Sequence, residues 1–307
     1  MNRLAGIVVA VVGLVIAVLG VMSIVPGMTQ PGVFMILLGG LIIGLSFIDK
    51  PDPEDVPKMS AAETLLNIFV SPAEVFQNLR RHPRWLVAVL IMTVLSSIFF
   101  NLFLYRLGPD RVANYAIDKT KEMSMMSEDA RTQIEASRPK ALADNKNPVV
   151  RVGQAVSGFA GSVFWHAFLG GVFFLFALAM GGQMNYWQAF SAAVYASFPV
   201  AVIRFILSSI ILFIKDPLEI HPITGQTSLI QDNLSFLVVP SENPVIYTLL
   251  AMLSLLSFYW VWLNSIGIKN AGEKVTSTIG WSAALTVYLL LILLGIVAAF
   301  LFPSFIS

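Results

Sequence analysis

The residues that could do chemistry in this sequence are few and widely spaced. Arg204 is the one charge inside a long apolar run, in Tyr195-Ala-Ser-Phe-Pro-Val-Ala-Val-Ile-Arg204. A charge near mid-bilayer costs roughly 2.5–3.5 kcal/mol on insertion scales, so this guanidinium needs a partner. Two readings fit: an anchor for a lipid phosphate or other anion, or a snorkelling side chain paired with carbonyls freed by Pro199. His166, in Phe164-Trp-His-Ala-Phe168, reads as a neutral, hydrogen-bonded packing residue or as a proton carrier, and its aromatic surroundings favour the first. Asn101 and Asn264 are amides within apolar runs, suited to joining helices by hydrogen bonds or to contacting a ligand.

The other ingredients of catalysis are missing from the pattern. Asp and Glu do not occur in any of the long apolar runs, which argues against proton- or sodium-coupled transport. Cysteine is absent, and the three histidines (His82, His166, His221) are too scattered to suggest a metal cluster. Gly39-Gly40, Gly170-Gly171 and Gly181-Gly182 lack the context of a phosphate loop, and no H-E-x-x-H or G-x-S-x-G occurs. The expectation is a protein that is not an enzyme and has no cofactor or metal.

The elements that must position these residues follow from composition. Hydrophobic residues make up 57% of the 307 and charged residues 12%, and the mean hydropathy is +0.79. So little charge could not cover a water-facing surface. The apolar residues fall in blocks of roughly 17–26, the length needed to cross about 30 Å of hydrocarbon as a helix. The fold class is therefore all-α, a polytopic transmembrane helix bundle of about seven spans. A formal net charge of +1 gives no field to attract nucleic acid, so membrane lipids, other membrane proteins or a second copy of the chain are the expected partners.

The spans are read as Leu4–Val25, Pro31–Phe47, Trp85–Leu104, Gly158–Gly182, Ala189–Ile214, Pro244–Ile268 and Ile279–Phe302. The first exceeds the 7–15 apolar residues of a signal peptide and is followed by no A-x-A-like site, so it reads as a retained anchor. Residues 1–48 thus form an N-terminal hairpin. Gly6, Gly13 and Gly20 recur every seven residues on one helix, and Gly40 and Gly44 make a GxxxG on the next. They serve close helix packing, or reflect only the abundance of glycine in membrane helices. A polar, proline-rich linker (49–59) follows, and then an amphipathic interfacial helix over 60–82. Two helix starts lie within it, Ser60-Ala-Ala-Glu63 and Ser71-Pro-Ala-Glu74. Arg80, Arg81, Arg84 and Trp85 form a basic, aromatic collar fitted either to the membrane surface or to packing on the protein's own spans. The segment 105–157 carries nine Lys/Arg and seven Asp/Glu, with apolar positions that predict short helices.

An odd number of spans puts the termini on opposite sides. With the N-terminus inside, the inner segments carry eight basic residues and the outer ten, nine of them in 105–157. Segments near 50 residues translocate largely regardless of charge, and without this one the count is eight against one. The expected orientation has the N-terminus in the cytoplasm and the C-terminus opposite.

Three stretches resemble the Yip family (Ypt/Rab-interacting membrane proteins), especially its bacterial branch. Ser71-Pro-Ala-Glu-Val-Phe-Gln-Asn-Leu-Arg-Arg-His-Pro-Arg-Trp85 resembles the family's approach to the first of five spans. Gly181-Gly182, Gln188 and Tyr195-Ala-Ser-Phe-Pro199 resemble its "GG…YSxxP" segment, and Trp260 to Gly267-Ile-Lys269 its "W…L…G-L-K" stretch. The resemblance covers roughly 63–302. It implies a five-span domain over 60–307 with its N-terminal region in the cytosol, in a bacterial inner membrane. The N-terminal hairpin and the 105–157 segment lie outside the pattern. The expectations are a non-catalytic protein organising partners or lipids, or alternatively a passive lipid translocator, carrier or channel using a polar groove.

Overall fold

The computed structural model describes residues 2–52, 56–123 and 126–306. Residues 53–55 of the linker and 124–125 of the long polar segment lie outside the described residues. In chain order the helices are α1 (Asn2–Val21), α2 (Thr29–Leu45), α3 (Ala61–Asn67), α4 (Pro72–Arg81), α5 (Leu86–Leu107), α6 (Pro109–Lys121), α7 (Glu128–Lys146), α8 (Pro148–Ala179), α9 (Tyr186–Ile214), α10 (Pro244–Met252), α11 (Leu255–Ala271) and α12 (Ser277–Leu301). Among the described residues there is no strand, only an isolated bridge between Gln183 and Glu273.

Each of the seven apolar blocks is helical. Helices α1, α5, α8, α9 and α12 are long and apolar enough to cross a membrane. The sixth block is a pair, α10 and α11, bent by 49°. The remaining block, the second in chain order, is α2, whose 17 residues are at the short end of what a bilayer requires. Helix α8 starts ten residues earlier than the hydropathy predicts. Its extra turns are used in packing: Val150 lies against Gly27, and Gly153 faces Pro31. The chain forms two compact units, Met1–Val94 with Pro148–Pro199 and Trp262–Ala284, and Leu95–Asn147 with Val200–Val261 and Leu285–Ser307.

In the first unit, α1 and α2 approach backbone to backbone. A Cβ at Gly6 would meet Gly39 O at 2.9 Å, one at Gly13 would meet Gly32 O at 2.8 Å, and one at Gly20 would collide with Thr29 N. The complementary glycines of α2 are Gly32 and Gly39. Gly40 and Gly44 have nothing within 4 Å of where a Cβ would stand, because the crossing register places Gly39, one residue earlier, against α1.

The interfacial segment is two helices rather than one. Ser60 and Glu63 form the capping box on α3, with Ser60 N–H donating to Glu63 Oε2 at 2.6 Å and Glu63 N–H to Ser60 Oγ at 3.1 Å. Ser71 makes no side-chain cap on α4, which starts from Pro72. Val75, Phe76 and Leu79 of α4 are fully buried, and Phe76 lies against Gly267 and beside Ala192. The apolar stripe of α4 therefore packs on the protein's own spans. Leu66, Phe69 and Val70 keep exposed surface.

The second unit is organised around Phe99, Phe103, Leu104, Leu107, Val112, Leu212 and Ile220. Its α6 and α7 are clasped by charge. Arg138 reaches Asp118, Glu135 and the Asn114 amide oxygen, and Lys121 reaches Glu135 at 2.7 Å. Arg106 and Arg111 donate to carbonyls between Leu212 and Ile220, which satisfies the open end of α9 and the turn beyond it. The long polar segment is thus mostly helical, as its apolar spacing predicts.

Candidate functional site

Arg204 lines a cavity of about 940 Å³ that lies within the second unit. It stands ten residues before Ile214, the last residue of α9, which is about 15 Å of helix rise. Asp232 lines the same cavity and is the acidic group that acts electrostatically on Arg204. Asp232 is fixed by the broken span: its Oδ2 accepts from Leu256 N–H at 2.8 Å, and its carbonyl accepts from Leu255 N–H at 3.2 Å. These are among the otherwise unsatisfied donors at the start of α11. Ser254 completes the cap, its Oγ accepting from Ser257 N–H at 3.0 Å. The 49° break is therefore a built feature, and the chain's own carboxylate occupies the positive end of the half-helix.

Lys215, Glu219 and His221 complete the polar rim. His221 Nδ1 accepts from the N–H groups of Ile223 and Thr224, both at 3.2 Å. Its ring proton is therefore on Nε2, 3.1 Å from the Tyr115 hydroxyl. Apolar residues share the lining: Gly295, Ala298 and Ala299 lie at i, i+3 and i+4, one side of α12, with the Met252 side chain against Gly295.

A second polar cluster, in the first unit, joins two of the segments that carried the family resemblance to Glu273, four residues beyond the third. Arg80 and Arg81 both reach Glu273 Oε1, at 2.8 and 3.3 Å. The Gln188 amide donates to the Arg80 carbonyl at 2.9 Å, and Gln183 and Glu273 exchange backbone hydrogen bonds of 2.8 and 2.6 Å. The Arg80 hydrogen bond, with the nearby positive charge, holds the Glu273 carboxyl below the usual carboxylate range. Buried Asn78 ties the linker to this cluster, donating to the Pro57 carbonyl and accepting from Met59 N–H and Arg84 Nη2. Burial pulls the Arg84 guanidinium below its ordinary value, opposed by Tyr195 and Glu63. Trp85 stacks obliquely on Phe190, with centroids 5.3 Å apart. The linker's start is held by Trp187 Nε1, which donates to the Ile48 carbonyl, and by Lys50 over the Trp187 ring.

Of the other intramembrane candidates, His166 is buried in α8. Its Nδ1 donates to the Ser162 carbonyl at 2.7 Å, and its buried Nε2 has no hydrogen-bond partner. Asn264 is buried in α11. Asn101 is exposed on α5 and donates to the Ser97 carbonyl of its own helix at 2.8 Å. His166 and Asn264 belong to the first unit, Arg204 and Asn101 to the second. The residues that sequence reasoning missed are Asp232, Glu219, Asn78 and Glu273, which lie in polar loops or amphipathic segments far along the chain from their partners. Among the described residues no group of three His, Cys, Asp or Glu is placed to hold a metal.

These features define a polytopic α-helical membrane protein with a cavity of mixed polar and apolar lining beside Arg204 of α9. Residues 66–300 match the family model of the Yip1 domain, and the chain belongs to that family. No curated protein and no solved structure matches it.

Proposed function

We propose that this Yip1-domain protein is non-catalytic and holds lipid headgroups in the membrane, organising partner proteins or further copies of itself around them. The observation that carries this reading is the cavity at Arg204, lined by charged, polar and apolar residues. A guanidinium at that depth is costly to insert and is well suited to bind phosphate oxygens. The cluster joining Arg80, Arg81 and Glu273 acts, in this reading, as the rigid membrane-surface base that holds the spans in register. The membrane is a bacterial inner membrane and the N-terminus is cytoplasmic. With the 105–157 segment set aside, the basic-residue count supports that orientation, and the contacts among α4, the 183–188 turn and Glu273 fit three segments on one common side. The N-terminal hairpin is an accessory anchor outside the family's matched region.

The test is native mass spectrometry of the full chain in mild detergent. Retained lipid in the wild type, reduced in Arg204→Gln at equal folded yield, is the expected result. Delipidated wild type with no affinity for any added lipid would remove the reading. A passive translocator is the second reading, favoured by a lining that includes both Arg204, within α9, and Lys215, just past its end. Vesicles reconstituted with the protein that show no protein-dependent lipid movement would exclude it.

A further inference from the structure

The charges lining the cavity carry more information than Arg204 alone. Two cations, Arg204 and Lys215, face two carboxylates, Glu219 and Asp232, and the His221 ring is held by its own backbone donors. Formally the lining is neutral (two minus two). Among the described residues, Arg204, Lys215 and Glu219 make no ion pair within 4 Å. Asp232 is fixed at the start of α11 through one oxygen and its carbonyl. Charges of both signs are therefore presented into one cavity without neutralising each other by contact.

Resting on the lipid reading above, we infer that this cavity takes a zwitterionic phospholipid headgroup bearing a phosphate and a primary ammonium. The phosphate lies on Arg204 and the ammonium on Glu219 and the free oxygen of Asp232, while Lys215, about 16 Å of helix rise further on, adds positive charge at the rim. A ligand with both charges matches both signs of the lining and adds no net charge to the cavity. A net-anionic headgroup satisfies the cations and leaves a surplus negative charge beside two carboxylates. The half-helix N-terminus, elsewhere a ready anion site, is closed to a second anion because Asp232 already accepts its N–H groups. The volume of about 940 Å³ admits a headgroup with its glycerol.

The experiment loads delipidated full-length protein with phosphatidylethanolamine or phosphatidylglycerol of matched chains and reads bound lipid by native mass spectrometry. Wild type is expected to prefer phosphatidylethanolamine by about tenfold, the scale of one charge-assisted hydrogen bond. Glu219→Gln, on an exposed turn away from the core, should remove most of that preference while still binding lipid. Arg204→Lys, which keeps the charge and loses the fork of donors, should weaken both lipids. Excess soluble phosphoethanolamine should leave the lipid bound; displacement would assign the cavity to a soluble compound and overturn the inference. Equal binding of the two lipids, or preference for phosphatidylglycerol, would overturn it while leaving the lipid reading intact. Binding of neither lipid would remove both.

Discussion

Replacing Gly39 by alanine should loosen the N-terminal hairpin, whereas the same change at Gly40 should not. A Cβ at Gly39 would stand 2.6 Å from both Ala10 N and Gly6 O and 2.7 Å from Ala10 Cβ. Two of these three atoms are backbone, so α1 and α2 must part to relieve the overlap. Overpacking of this kind costs about 1–3 kcal/mol, set against about 0.5–1 kcal/mol gained by replacing glycine inside a helix. The net expectation for Gly39→Ala is a loss of about 1–2 kcal/mol. Gly40 has open space around it, so Gly40→Ala should retain the helix gain of up to about 1 kcal/mol. Thermal unfolding in detergent, with proteolysis of the 22–28 turn as a local readout, measures both variants. Equal shifts for the two would refute the packing register.

Three further predictions concern the polar clusters. Asn78→Ala leaves the Pro57 carbonyl, Met59 N–H and Arg84 without their partner, and should lower stability by about 1–3 kcal/mol in a denaturant titration. Glu273→Gln removes a half-exposed ion pair and should cost no more than about 1 kcal/mol. Because the folded-state pKa of Glu273 is depressed by Arg80, its contribution is present above the ordinary carboxylate range. It fades as pH falls through the depressed value, so a Tm series from pH 6 to 3 should show a steeper fall in wild type than in the variant. On α6 and α7, hydrogen bonds from Arg138 and Lys121 lower the Glu135 carboxyl from 4.5 to about 2. The clasp should therefore persist as pH falls from 4.5 and open near about 2, and Arg138→Ala should make Lys119 and Lys121 of α6 more accessible to trypsin already at neutral pH.

Hydropathy alone revealed every long apolar helix, because lipid leaves a chain little choice but to satisfy its backbone internally. It did not reveal the start of α8. Arg151 reads as a loop charge, while Val150 and Gly153 next to it pack on the hairpin. Nor did it reveal the break between α10 and α11, since Met252-Leu-Ser254 contains neither proline nor glycine. That break is made by Asp232, more than twenty residues upstream. The collar illustrates a different limit. Amphipathicity in α4 shows that one face is apolar, not whether lipid or protein covers it, and Val75, Phe76 and Leu79 are covered by protein. Arg204 was legible as a lone charge, but the cavity around it was not. Its carboxylates sit in a polar loop, where acidic residues look ordinary.

A structure of the full chain in a lipid nanodisc bears most directly on the central claim. The account predicts a headgroup in the cavity with a phosphate oxygen within hydrogen-bond distance of the Arg204 guanidinium. A cavity holding only water, with Arg204 turned onto carbonyls of its own helix, would contradict it.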